Sequence, residues 1–168
     1  MRFTSALTGI VLLGLTVSAA MAEESPIYGG LRIGTLEADF AGFSKATNVG
    51  FLLGYDLNRD QSGTLALEAE ATTTLSDGSI TGGGKWDADT ISASAAYRTH
   101  GSAFVKARIG FLRQDIQRSG GPLNADDSGI TYGAGVGARL NSKAMLEVEY
   151  SRMSSDLSFL ALSYITHF

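Results

Sequence analysis

The sequence contains no cysteine. Disulfides are thereby excluded as a source of rigidity. Two prolines in 168 residues leave little to interrupt strands. A formal charge of −4 argues against a nucleic-acid partner. Beyond the first 22 residues no stretch of about 18 apolar residues occurs, which excludes a membrane-spanning helix.

What is present begins with "MRFTSALTGIVLLGLTVSAAMA". Arg2 supplies a basic start, Leu7 to Val17 an apolar core, and Ala20-Met21-Ala22 a small-residue cleavage site. Residues 1–22 read as a secretory signal peptide cut before Glu23. The apolar core is about 11 residues, well short of the roughly 20 that span a bilayer. Residues 23–168 are then a single domain. An exported chain without disulfides suits a Gram-negative envelope.

Period-2 alternation runs through this domain, where helices would show period 3.6. In "GITYGAGVGARL", Ile130, Tyr132, Ala134, Val136, Ala138 and Leu140 share one face, opposite Thr131, three glycines and Arg139. In "SAFVKARIGFL", Val105, Ala107, Ile109 and Phe111 oppose Lys106 and Arg108. "TLALEAEATTTL" sets Leu65, Leu67, Ala69 and Ala71 against Glu68 and Glu70. "AMLEVEYSR" sets Leu146, Val148 and Tyr150 against Glu147 and Glu149. Eight strands follow: Ile27 to Leu36, Thr47 to Leu57, Thr64 to Leu75, Asp89 to Arg98, Ala103 to Arg113, Gly129 to Leu140, Ala144 to Arg152 and Leu157 to Phe168. Each is near the roughly 9–11 residues that cross a bilayer at a tilt. Short connections ("NRDQSG", "THGS", "NSK") alternate with mostly longer ones, as expected when one rim is periplasmic and the other faces outward.

A soluble β-sandwich also alternates, but it buries its apolar faces. Here the second face carries charges set among glycines and hydroxyls, which suits a barrel turned inside out to lipid. The expected interior charges are Arg32, Glu68, Glu70, Lys106, Arg108, Arg139, Glu147 and Glu149. A basic fifth strand lies between the acidic third and seventh. The fourth strand offers only Thr90, Ser92, Ser94 and Ala96 inward, and the sixth offers glycines. Long cationic stems are therefore expected to cross small residues, reach carboxylates and plug the lumen. Two aromatic girdles are expected on the lipid face: Tyr55, Tyr97 and Phe168 at the periplasmic rim, and Phe111, Tyr132 and Tyr150 near the outer rim.

The signal peptide, eight alternating strands, long outer loops and "SYITHF" ending resemble the small outer-membrane barrels of the OmpA transmembrane-domain and OmpX type. The resemblance covers the whole mature chain. It implies an all-β fold, an eight-stranded antiparallel up-and-down transmembrane barrel in the outer membrane. It also implies assembly by the barrel-insertion machinery, which reads a C-terminal aromatic strand, here ending in Phe168. Thr166 departs from the large residue common at its position. Outer-membrane lipids and lipopolysaccharide are the expected surroundings, and a monomer the expected state.

Three motifs invite other readings. "TYGAGVGARL" imitates a dinucleotide loop, but its alternation continues where a helix should start. "DLNRDQSGTLALE" places Asp56, Asn58, Asp60 and Ser62 like a calcium loop, but has Gln61 and Leu67 where glycine and glutamate belong. "THGS" sets His100 near Ser102, yet no acid, base and nucleophile converge. Asp87, Asp89, Asp126 and Asp127 are assigned to outer loops. No enzyme activity, cofactor or metal is expected. The leading role is a structural or surface-interacting barrel; the alternative is a narrow porin-like channel, with a lipid A-modifying enzyme third.

Overall fold

The computed structural model describes residues 25–119 and 124–168, so the signal-peptide reading lies outside the described residues. The strands are β1 Ile27–Ala38, β2 Ala46–Arg59, β3 Gly63–Ser76, β4 Gly78–Ser79, β5 Lys85–Thr99, β6 Ala103–Ser119, β7 Asn124–Arg139, β8 Ala144–Arg152 and β9 Leu157–His167. Successive long strands pair antiparallel in chain order, with β3 pairing directly to β5 past the short β4, and β1 pairs with β9. These eight long strands close into one up-and-down barrel, with the two-residue β4 clipped to the start of β5. A closed ladder has no edges, so each of the eight long strands pairs on both sides within the barrel wall. One sheet closed on itself also disposes of the sandwich alternative.

Pairing extends further than the alternation alone indicates. β5 begins at Lys85 rather than Asp89, and β6 runs to Ser119 rather than Arg113. Their register continues from Arg98↔Lys106 to Lys85↔Ser119, and β6–β7 continues to Gln117↔Asn124. The four aspartates assigned to loops therefore lie on strands: Asp87 and Asp89 on β5, Asp126 and Asp127 on β7. Two already aligned strands add ladder bonds with no new loop to close, and this outweighs a loop-like composition. β8 stops opposite Tyr132, so the β5–β6–β7 ribbon rises above the rest of the outer rim.

The faces are inverted relative to a water-soluble protein. Leu31 is 72% exposed and Phe111 73%, while Lys106 and Glu149 are each 1% exposed. Water punishes that arrangement twice, through bare apolar area and through desolvated charge. A hydrocarbon surrounding removes the first penalty, and pairing inside the barrel removes much of the second.

Candidate functional site

The lumen is stacked in layers. At the periplasmic end Tyr28, Leu52, Ala66, Phe104, Met145 and Ile165 form a buried apolar cluster. At the outer end Leu36, Trp86, Leu112, Met153, Leu157 and Phe159 belong to a second. Glycines make room for the rings. A Cβ at Gly54 would strike the Tyr28 ring, and one at Gly137 would strike Phe104. Trp86 Nε1 donates to the Ser44 carbonyl (2.9 Å), which fixes its indole across the outer mouth.

Between these layers lie four cations and four carboxylates. Arg32 from β1 meets Glu70 of β3 (2.6 Å) and Glu149 of β8 (2.9 Å). Arg108 from β6 meets the same two acids, at 2.5 and 3.1 Å. One level towards the periplasm, Arg98 of β5 bonds Glu147 (2.5 Å) and Glu68. Lys106 joins the levels: its Nζ lies 2.9 Å from Glu68, 3.1 Å from Glu147 and 2.9 Å from Glu149. Neutral hydroxyls finish the set. Tyr28 donates to Glu68 (2.9 Å) and accepts from Arg98 (2.8 Å). Ser151 donates to Glu149 (2.7 Å), and Arg32 Nε donates to Ser163 (2.9 Å). All eight ionic side chains are nearly inaccessible. Charge-assisted bonds of this kind are about twice as strong as neutral ones, and each charge here has more than one partner.

The structure thus brings together seven of the eight charges expected inside. Arg139 stands apart. It lies at the periplasmic mouth, where its guanidinium donates to the Gly101 carbonyl and lies 4.7 Å from the Phe104 ring centroid. Its strand position puts it one level below Gly137, beyond the reach of the acid layers. Arg98 takes its place. The expectation that the fourth barrel strand presents only small residues inward is corrected by this residue, which continues the Thr90–Ala96 row by one more step of two. Tyr28 was likewise legible by parity with Arg32.

The expected girdle residues face outward. Tyr55, Phe111, Tyr132, Tyr150 and Phe168 are exposed, and Tyr97 is half-buried with its hydroxyl 3.0 Å from Ser62. β9 ends at His167, and the Phe168 amide still donates to the Ile27 carbonyl (3.2 Å), with its ring set against Gly29.

The calcium-like turn is occupied by its own bonds. Asp60 accepts from the Ser62 amide (2.8 Å), the Ser62 hydroxyl (2.5 Å) and the Gly63 amide (3.0 Å). Those bonds hold its carboxyl below the usual range. Asp56 pairs with Arg59 (2.8 Å) and His167 (3.3 Å). Gly133 and Gly135 lie within β7 with no helix following. His100 bonds the Asp60 carbonyl in a periplasmic turn, far along the chain from His167 at the lumen mouth.

Comparison with known proteins agrees with this architecture. The family profile for the outer membrane protein beta-barrel domain matches residues 8–162. No curated protein sequence matches. Among solved structures, Neisserial surface protein A superposes with a TM-score of 0.63 at 15% identity, covering 86% of this chain and 98% of that one. The outer membrane protein OprG of Pseudomonas aeruginosa gives 0.60 at 11% identity, with 87% and 98% covered. The N-terminal barrel of OprF from the same organism gives 0.59 at 14%, with 87% and 100% covered. A closed eight-stranded barrel, apolar outside and ionic within, whose sequence matches that family over most of its length belongs to the outer membrane protein beta-barrel domain family and resides in the cell outer membrane.

Proposed function

We propose that this protein is a non-enzymatic, monomeric outer-membrane barrel with a sealed lumen, whose work is done on its surfaces rather than through its middle. The observation that carries this reading is the balanced ionic layer between two apolar layers. Four cations meet four carboxylates, so no net charge attracts a permeant ion. An eight-stranded barrel has an interior just wide enough for side chains to fill. Moving an ion through would require breaking several desolvated pairs at once. Planar-bilayer recording tests it. The purified barrel is expected to give no regular conductance steps, whereas Lys106→Ala, which unlinks the two ionic levels, is expected to give small ones. Regular steps from the unaltered protein would overturn the reading.

The alternative is a narrow channel. It draws support from Ser94 Oγ and Gln114 Oε1, buried polar atoms on the lumen face without a protein hydrogen bond. The same recordings decide between the two.

Assembly belongs to this reading as well. The signal peptide delivers the chain to the periplasm, and the aromatic end of β9 presents it to the insertion machinery. Deleting Phe168 is expected to cut the amount of assembled barrel severely, while deleting Gly120-Gly121 leaves it near the normal level. Heat-modifiable migration on gels reads the difference, and equal yields would contradict it.

A further inference from the structure

We propose that the outer of the two ionic levels holds one fixed water molecule, gripped by Arg108, Glu70 and Ser94. Among the described residues, eight buried side-chain atoms lack a protein hydrogen bond. Four of them still touch an opposite charge. Arg32 Nη2 and Arg108 Nε lie 2.9 and 3.1 Å from Glu149 Oε1, and Glu68 Oε2 and Glu149 Oε2 each lie 2.9 Å from Lys106 Nζ. A fifth, Gln114 Oε1, belongs to a residue three inward steps beyond Arg108 on β6, towards the outer mouth. The other three are Glu70 Oε1, Arg108 Nη2 and Ser94 Oγ.

Register brings these three together. Arg108 on β6 pairs with Ala96 on β5, and Glu70 on β3 pairs with Ser92 of β5. A side chain running from Arg108 to Glu70 therefore crosses β5 between those positions, where Ser94 is the inward residue. Gly110 stands opposite Ser94 on β6 and offers its hydroxyl no partner. Glu68 stands opposite it on β3 and is bonded to Tyr28, Arg98 and Lys106. The Arg108–Glu70 pair itself joins through a single prong, Nη1 to Oε2 at 2.5 Å. A fork–fork pair would close a second prong between Nη2 and Oε1. Here Oε2 is shared with Arg32 Nη1 (2.6 Å), and the second prong stays open over Ser94.

The chemistry of the three atoms selects the ligand. Arg108 Nη2 only donates and the Glu70 carboxylate only accepts, while a hydroxyl does either. An anion here would face the carboxylate and a cation the guanidinium, each a like charge away from bulk solvent. Water accepts from Arg108, donates to Glu70 and keeps a bond for Ser94, and about three bonds is the usual number for a buried water. Its effect is to tie β5 into this level. Arg32, Glu70, Arg108 and Glu149 come from β1, β3, β6 and β8, and the one inward charge of β5, Arg98, serves the level below. The site follows from the ionic layer alone and stands whether or not the barrel conducts.

A high-resolution crystal structure of the barrel, with and without a bromide soak, tests the site. One solvent peak is expected about 2.7–3.2 Å from each of Arg108 Nη2, Glu70 Oε1 and Ser94 Oγ, with no anomalous signal there after the soak. Ser94→Asn carries an acceptor and a donor on one side chain, so it should displace the peak and keep the urea midpoint in lipid near that of the unaltered barrel. Ser94→Ala removes one of the three bonds and should lower that midpoint. Should Ser94→Asn fail to assemble, the crystals of the unaltered barrel decide. Direct bonds among the three groups with no solvent peak would overturn the site, and a bromide signal would do so by assigning it to an anion. A peak that survives in assembled Ser94→Asn, or a Ser94→Ala midpoint equal to that of the unaltered barrel, would count against it equally.

Discussion

The middle of the lumen and its periplasmic end are built from the same strands but held by opposite chemistry. In the middle, Arg98, Lys106, Glu68 and Glu147 are buried and bonded to one another. At the end, Leu52, Phe104, Met145 and Ile165 are equally buried with no charge among them. The first layer is specific and intolerant, because losing one member strands its partners in a place without water. The second is forgiving, because losing a methyl group costs only the area and the space it filled. The contrast explains why the barrel needs both. Charges alone would leave wet ends, and apolar residues alone would fit many registers equally well.

Breaking the middle is expected to have the largest effect. Arg98→Ala leaves Glu68 and Glu147 short of a partner, and removing one member of a buried pair typically costs about 3–5 kcal/mol. Urea titration of the barrel folded in lipid should show a clearly lowered midpoint; an unchanged midpoint would mean that water already solvates these carboxylates. The periplasmic layer should respond far less. Ile165→Val removes one buried methylene, a loss of about 0.5–1.5 kcal/mol. A loss as large as that of Arg98→Ala would erase the distinction between the layers.

The smallest effect sharpens the comparison by separating the rim from the lumen. Asp60 is exposed, and its carboxyl is held below the usual range by the Ser62 hydroxyl, then by the Ser62 and Gly63 amides. A depressed folded-state pKa contributes stability that is fully present above the unfolded value near 4 and is lost as pH falls through the folded value. Asp60→Asn should therefore flatten a slight acid-side slope in the unfolding midpoint and leave the neutral-pH conductance unchanged. An identical slope in both proteins would show that the turn contributes nothing.

Much of this was legible in the sequence. The period-2 pattern assigned the faces of β3, β6, β7 and β8, and β8 ends where the alternation of "AMLEVEYSR" ends. Partner choice was not legible, because it depends on the stagger of strands that are remote in sequence. Arg108 faces Glu70 and Glu149 rather than Glu147, and a shift of one step along β6 exchanges those acids for the set that Lys106 holds. Arg98 closes its strand, where a charge has the look of a solvated end, so its place in the lumen is not evident from sequence. Tyr28 shares the parity of Arg32, but alternation alone does not show that its hydroxyl joins the ionic layer through Glu68 and Arg98. The rise of β5, β6 and β7 above the rim was hidden by glycine- and aspartate-rich composition, since backbone register leaves no trace in side-chain chemistry.

The claim that the lumen is closed by one coupled ionic layer is tested most directly by a double-mutant cycle at Arg98 and Glu147, whose side chains meet at 2.5 Å. Unfolding midpoints in lipid are measured for the unaltered barrel, Arg98→Ala, Glu147→Ala and the pair. The account predicts that the double variant loses clearly less stability than the two single losses added together, by about 0.5–3 kcal/mol. Strict additivity of the two losses would contradict it.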